Sequence, residues 1–176
     1  MLKPIIEAAL KYAGKPRANV VMCQDASQRG DSTVIDAESI RRLIEDYPLF
    51  DVYFLCVDRD CRTERLAALA ALEDRVNGAL QGKRFIAVCG QEELEVWILA
   101  GATDLPANWQ DVRSHCDPKE AFYTPYATRR GVQDTPGRGR KVLGEEAALQ
   151  YSNRIRKMCD EVQRCEQAET TPLLGM

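Results

Sequence analysis

The chain has a single histidine, no Cys-x-x-Cys pair, no apolar run of membrane-spanning length, no glycine-rich phosphate loop behind a strand-like segment and no basic excess. Each absence narrows the function. His115 lies in a stretch without clear pattern, so a surface or capping role is expected for it rather than catalysis. Seven cysteines are an odd number without zinc-ligand spacing, which argues against both a zinc site and a disulfide framework. Reduced thiols are expected, with Cys23, Cys56 and Cys89 placed in the core by the apolar runs around them. The opening Met-Leu-Lys-Pro is not a secretory signal and nothing is long enough to span a bilayer, so the expectation is a cytoplasmic protein with no membrane partner. With 24 basic and 27 acidic residues, the net charge of −3 excludes a protein that coats nucleic acid by bulk charge. A local arginine cluster can still engage a phosphate backbone. Without a phosphate loop, a flavodoxin-like small-ligand protein has little support.

What is present is an α/β pattern. The 176 residues, 45% hydrophobic, suffice for one core, read as one domain over residues 1–168 with a frayed tail over 169–176. Leu2, Ile5, Ile6, Ala9 and Leu10 recur at helical spacing up to Gly14. Ala18 to Cys23 has the β-branched content of a strand, and a turn-rich polar stretch containing Asp25 follows it. Asp36 to Tyr47 is helical by pattern and Pro48 ends it. A second strand runs from Asp51 to Val57, a helix from Arg62 to Leu80, and a third strand from Arg84 to Cys89. Strand, helix, strand, helix, strand at this spacing predicts a parallel sheet with right-handed crossovers. Gln91 to Ala100 reads as a helix with Leu94, Trp97 and Ile98 inward. A short helix near Asp117 to Glu120 would have Asp117 as cap and Pro118 in its first position. Ala147 to Cys165 reads as a last amphipathic helix with Leu149, Ile155, Met158 and Val162 inside.

The chemistry concentrates after the second of these strands. Asp58 and Asp60, one residue apart on extended backbone, point the same way at the carboxyl end of a strand, the edge where α/β sheets collect ligands. They would share a divalent cation; the competing reading is that Asp58 caps the helix after it. Glu92 and Glu95, or Glu93 alone, would face that same edge, and the alternative is a solvated acidic first turn favoured by the helix dipole. The Gly-rich stretch Arg129 to Lys141, with Arg138 and Arg140, reads as a mobile basic loop, either a solvated linker or a contact to substrate phosphates.

In this order, Asp58-x-Asp60, Glu93-x-Glu95-x-Trp97, Asp117-Pro-Lys-Glu120 and Gly-Arg-Lys141-x-x-Gly144 resemble the Toprim-related proteins encoded beside ATPases in bacterial defence loci, which are similar to the nuclease half of the overcoming-lysogenization-defect proteins. The resemblance covers roughly residues 1 to 165. It implies a three-layer Toprim-like fold, a small parallel sheet with helices on both faces, and a nuclease using Mg²⁺ or Mn²⁺ on DNA or RNA as a defence effector with an ATPase partner. Asp58 and Asp60 match the metal pair, Glu95 and Glu93 the acidic helix start, and Lys141 the late lysine at the scissile phosphate. It leaves open a homo-oligomer and a catalytically inactive module that binds the ATPase. The chain departs from the pattern in one respect: no Glu-Gly precedes residue 20. The N-terminal strand that carries this pair is therefore expected to come from an upstream segment, another strand or a partner chain, because an unfilled central slot would leave backbone groups unpaired.

Overall fold

The structure is a computed structural model that describes residues 1–23, 36–135 and 137–168. Its first helix, α1 (Leu2–Tyr12), buries Ile5, Ile6, Ala9 and Leu10 on one stripe. The chain leaves it through Gly14 at a φ of 80°, a left-handed turn that glycine adopts without a Cβ clash. Helix α2 (Ala37–Asp46) is started by Asp36, whose carboxylate accepts the Glu38 and Ser39 N–H groups at 2.8 and 2.9 Å. Strand β1 (Val52–Asp58), helix α3 (Arg65–Asn77) and strand β2 (Arg84–Gly90) form one parallel crossover unit. Its register sets Val52 opposite Arg84 and Asp58 opposite Gly90. Helix α4 (Glu95–Gly101) follows, buried at every position, and then α5 (Trp109–Ser114). A π-helical turn (Lys119–Tyr123) runs into α6 (Thr124–Arg129), and α7 (Arg140–Ala148) leads to a second π-helical turn (Tyr151–Ile155), the short α8 (Arg156–Met158) and a 3-10 segment (Asp160–Gln167).

Strand alternation makes the layers. Phe85, Ala87 and Cys89 of β2 face α2 and α3, joining Ile40, Ile44, Leu69, Leu72 and Val76. Ile86 and Val88 face the other way, into the larger core of α1, α4, α7 and the C-terminal segment, with Trp97 fully buried. Helices thus cover both faces of a small parallel sheet. The edge of β2 away from β1 is closed by side chains. Asn77 accepts the Phe85 N–H and donates to its carbonyl, both at 2.9 Å. Glu73 accepts the Ala87 N–H at 2.8 Å, Arg164 donates to the Ala87 carbonyl at 3.0 Å, and Glu73 and Arg164 pair at 2.6 Å. The Phe85 and Ala87 backbone groups, which would otherwise invite another strand, are therefore taken.

Several expectations change. Ala18 to Cys23 is irregular rather than a strand, so the sheet has two strands among the described residues. Val21 and Met22 stand exposed, and β-branched residues favour a strand only where a packed surface receives them. Cys23 is exposed too, and not a core residue. Asp25 and the tail lie outside the described residues. The helix expected from Gln91 starts at Glu95, because Glu92 takes a φ of 61°. The short helix behind Asp117 keeps its expected start, with the Asp117 carbonyl accepting the Ala121 N–H at 3.0 Å and Pro118 in the first helical position, but it runs on as a π turn from Lys119. The last helix is broken into α7, a π turn, α8 and the 3-10 segment, which leaves Leu149 exposed while Ile155 and Val162 are buried. The basic loop is shorter than expected, since Arg129 ends α6 and Arg140 and Lys141 open α7. Finally, Cys61 and Cys116 are joined in a disulfide across 55 residues, a pairing that no local spacing announces.

Candidate functional site

The carboxyl ends of β1 and β2 and the two turns behind them gather the charged residues. Asp58 is the last residue of β1, and its Oδ1 accepts the Leu94 N–H at 2.7 Å. It caps a helix, but α4 rather than the α3 that follows it; α3 starts at Glu64 without a side-chain cap. Burial, with smaller contributions from Glu95, Asp60 and Glu93, raises the Asp58 carboxyl to about 6, against the help of the Leu94 N–H. Among the described residues no cation pairs with it. It is a half-buried carboxylate that changes charge close to neutral pH.

Its neighbours differ. Asp60 holds a φ of 51°, its backbone N–H donating to the Glu92 carbonyl at 3.0 Å and its carboxylate accepting Arg65 at 2.6 Å. Arg65 also donates to the Asp58 carbonyl, so one guanidinium shapes the turn out of β1. Glu92 is nearly buried at 3% exposure, accepts the Cys61 N–H at 2.5 Å and pairs with Arg59. Glu93 accepts the Lys119 N–H at 2.5 Å, with the Lys119 ammonium 3.5 Å away, and burial raises its carboxyl in spite of that lysine. Glu95 opens α4 at 5% exposure and takes Arg140 through Nε at 2.7 Å and Nη2 at 2.6 Å. Both sequence alternatives for the glutamates are thereby resolved: Glu92 and Glu93 sit on the turn before α4, and Glu95 faces inward.

The basic residues divide in the same way. Arg140 is committed to Glu95 and lies 5.9 Å over the Tyr123 ring. Tyr123 donates to the Arg138 carbonyl at 3.0 Å, which ties the turn before α7 to the π turn, and burial pushes its phenol up to about 12. The Arg138 and Lys141 side chains are exposed and make no ion pair among the described residues. His115 accepts the Asp117 N–H at 2.9 Å through Nδ1 and meets Phe122 edge-on, the local role expected of it.

Hard carboxylates are what Mg²⁺ or Mn²⁺ takes. Among the described residues, however, no three His, Cys, Asp or Glu side chains gather closely enough to hold a metal ion. Asp60, Glu93 and Glu95 are already neutralised by Arg65, Lys119 and Arg140, which occupy the place a cation would take. As placed, these residues do not fit the ion. The cations between the acids, Arg59, Arg65 and Lys119, are not marked by the acidic motifs, although Arg59 stands between Asp58 and Asp60 in the sequence. Two aspartates flanking an arginine signal ion pairing as readily as metal binding. Scanned against protein-family models, curated proteins and solved structures, the chain gives no match. No helix of the described residues is long and apolar enough to cross a membrane.

Proposed function

We propose that the chain is a Toprim-like nuclease module that acts on phosphodiester bonds of DNA or RNA, with Asp58 at the reacting centre and the exposed Arg138, before α7, and Lys141, in its first turn, as contacts to backbone phosphates. The observation that carries this reading is Asp58: a carboxylate at the end of a parallel strand, free of cation partners among the described residues and titrating near 6. A group with that pKa takes or gives a proton at physiological pH, the property wanted of a general acid or base at a phosphodiester. Arg138 and Lys141 supply positive charge that no carboxylate among the described residues pairs with, as contacts to phosphate oxygens require. The order of motifs that resembles the Toprim-related defence proteins supports the further reading of an effector working with an ATPase partner.

A second reading rests on the ion pairs. If Asp60, Glu93 and Glu95 stay neutralised by Arg65, Lys119 and Arg140, the domain is a catalytically inactive module whose charged edge serves to bind the ATPase. End-labelled single- and double-stranded DNA and RNA, incubated with the protein in Mg²⁺ or Mn²⁺, separate the two. The nuclease reading expects cleavage that Asp58→Asn lowers by about 100-fold or more, the low end for general acid–base catalysis, with the thermal unfolding transition preserved. No cleavage of any substrate, with or without the ATPase, sinks it and leaves the binding module.

A further inference from the structure

The disulfide stands at the mouth of this site. Cys61 follows Asp60, two residues past the arginine that pairs with Glu92; Cys116 lies between α5 and the π turn that presents Lys119 to Glu93. Their Cα atoms are 5.5 Å apart. Two further contacts reach the segment around Cys116 from the neighbouring turn after β2: Gln91 donates to the Arg113 carbonyl at 2.9 Å, and Lys119 donates to Glu93. The backbone under the bond is forced. Asp60 and Cys61 both hold left-handed φ values, 51° and 53°, and Glu92 opposite holds 61°. Non-glycine residues adopt that region at a cost and stay there only when their surroundings over-determine them. Here the surroundings are the disulfide, the Asp60 N–H to the Glu92 carbonyl and the Cys61 N–H to the Glu92 carboxylate. Both cysteines are exposed, whereas Cys89, Cys159 and Cys165 are buried, so a soluble dithiol reaches this pair and not those thiols. Exposed disulfides are the labile ones.

We propose that Cys61–Cys116 is a redox latch on the strand-end site, closed when oxidised and opened by a dithiol reductant. One thiolate of the reductant attacks a sulfur of the bond, the other protein sulfur leaves as thiolate and takes a proton, and the reductant's second thiol displaces the mixed disulfide. The protein ends with two thiols and the reductant with a disulfide, two electrons and two protons having passed between them. Once the bond is cut, Asp60 and Cys61 relax from the left-handed region and release Glu92. The turn over Asp58 then loosens while the sheet stays in place. The latch depends on the proposed function only for its consequence, access to Asp58; the opening itself is read independently.

Protein purified without reductant and unfolded in denaturant should show five free thiols, and seven after dithiothreitol. Amide hydrogen exchange of the folded full chain, oxidised against reduced, should speed up about tenfold or more over residues 59–62 and 115–119 and stay unchanged over β2. Cys61→Ser and, separately, Cys116→Ser should exchange like the reduced protein under both conditions. Seven thiols before reduction, or exchange over 59–62 that does not respond to reductant, overturns the latch. Faster exchange on reduction with no cleavage in either state upholds the latch and sinks the nuclease reading.

Discussion

Asp58 shows how much one side chain takes from its setting. In an unfolded chain its carboxyl titrates near 4, whereas burial beside Glu95, Asp60 and Glu93 raises it to about 6 in the folded protein. A group with a raised folded pKa contributes stability that is fully present below its unfolded pKa, and that contribution is lost as pH rises through the folded value. Above about pH 6 the ionised Asp58 is therefore a standing cost. Asp58→Asn keeps an oxygen for the Leu94 N–H and removes the charge. It should be more stable than the parent at pH 7.5 by ~1 kcal/mol, a figure reduced from the full shift for partial solvent screening. At pH 4 the two should coincide. Urea unfolding at both pH values checks this; a gap that does not change with pH would mean that burial of charge is not what raises the carboxyl. A stabilising substitution at a polar residue is itself a mark of a site kept for something other than folding.

Among the elements, β2 is the one whose position is set from outside the sheet. Its free edge is closed by Asn77 and Glu73 from α3 and Arg164 from the 3-10 segment, so a two-stranded sheet is possible without an open edge on that side. Asn77→Ala leaves the Phe85 N–H and carbonyl without their partner and should cost about 2 kcal/mol, read as a lower urea midpoint at unchanged slope. If the substitution proves neutral, water serves this edge as well as Asn77 does. Helices α4 and α7 make a second such contact. A Cβ built on Gly101 would lie 2.5 Å from the Ala147 Cβ and 2.7 Å from its Cα. Ala is the better helix former by about 1 kcal/mol, but backbone that cannot yield decides the sign. Gly101→Ala should lower stability by about 1–3 kcal/mol, the usual cost of overpacking, visible as a drop in the thermal midpoint. A rise would show that α7 slides freely on α4.

On the scale of the molecule, Glu161 ties the C-terminal segment to α4, α5 and the turn after β2. From the C-terminal 3-10 segment its carboxylate accepts the Trp97 indole N–H at 3.1 Å and Arg113 at 2.7 Å, with the Gln91 N–H at 3.4 Å. Cys159, just before that segment, and Val162 and Cys165 within it are fully buried in the larger core. A chain ending at Met158 should therefore lose its cooperative unfolding transition and near-ultraviolet circular dichroism altogether, rather than fold with a lower midpoint. A truncated protein that melts sharply would show that the C-terminal segment is an addition to the core and not part of it.

What the sequence determined by itself are the features that depend on neighbours in the chain: the apolar stripe of α1, the helix start at Asp117 and Pro118, both strands of the crossover unit and the placing of Asp58 at a strand end. Helical spacing, capping and strand alternation are short-range, and burial of the marked faces agreed with them. Only the tertiary structure decided the rest. Ala18 to Cys23 had the residues of a strand, but only Val20 packs on the core while Val21 and Met22 stay exposed. Cys61 met Cys116, Glu95 met Arg140 and Glu93 met Lys119 across gaps that no periodicity spans. Whether a carboxylate holds a metal ion, caps a helix or answers an arginine depends on which charges the fold brings within a few ångströms of it, because Coulomb attraction reads distance in space and not position along the chain.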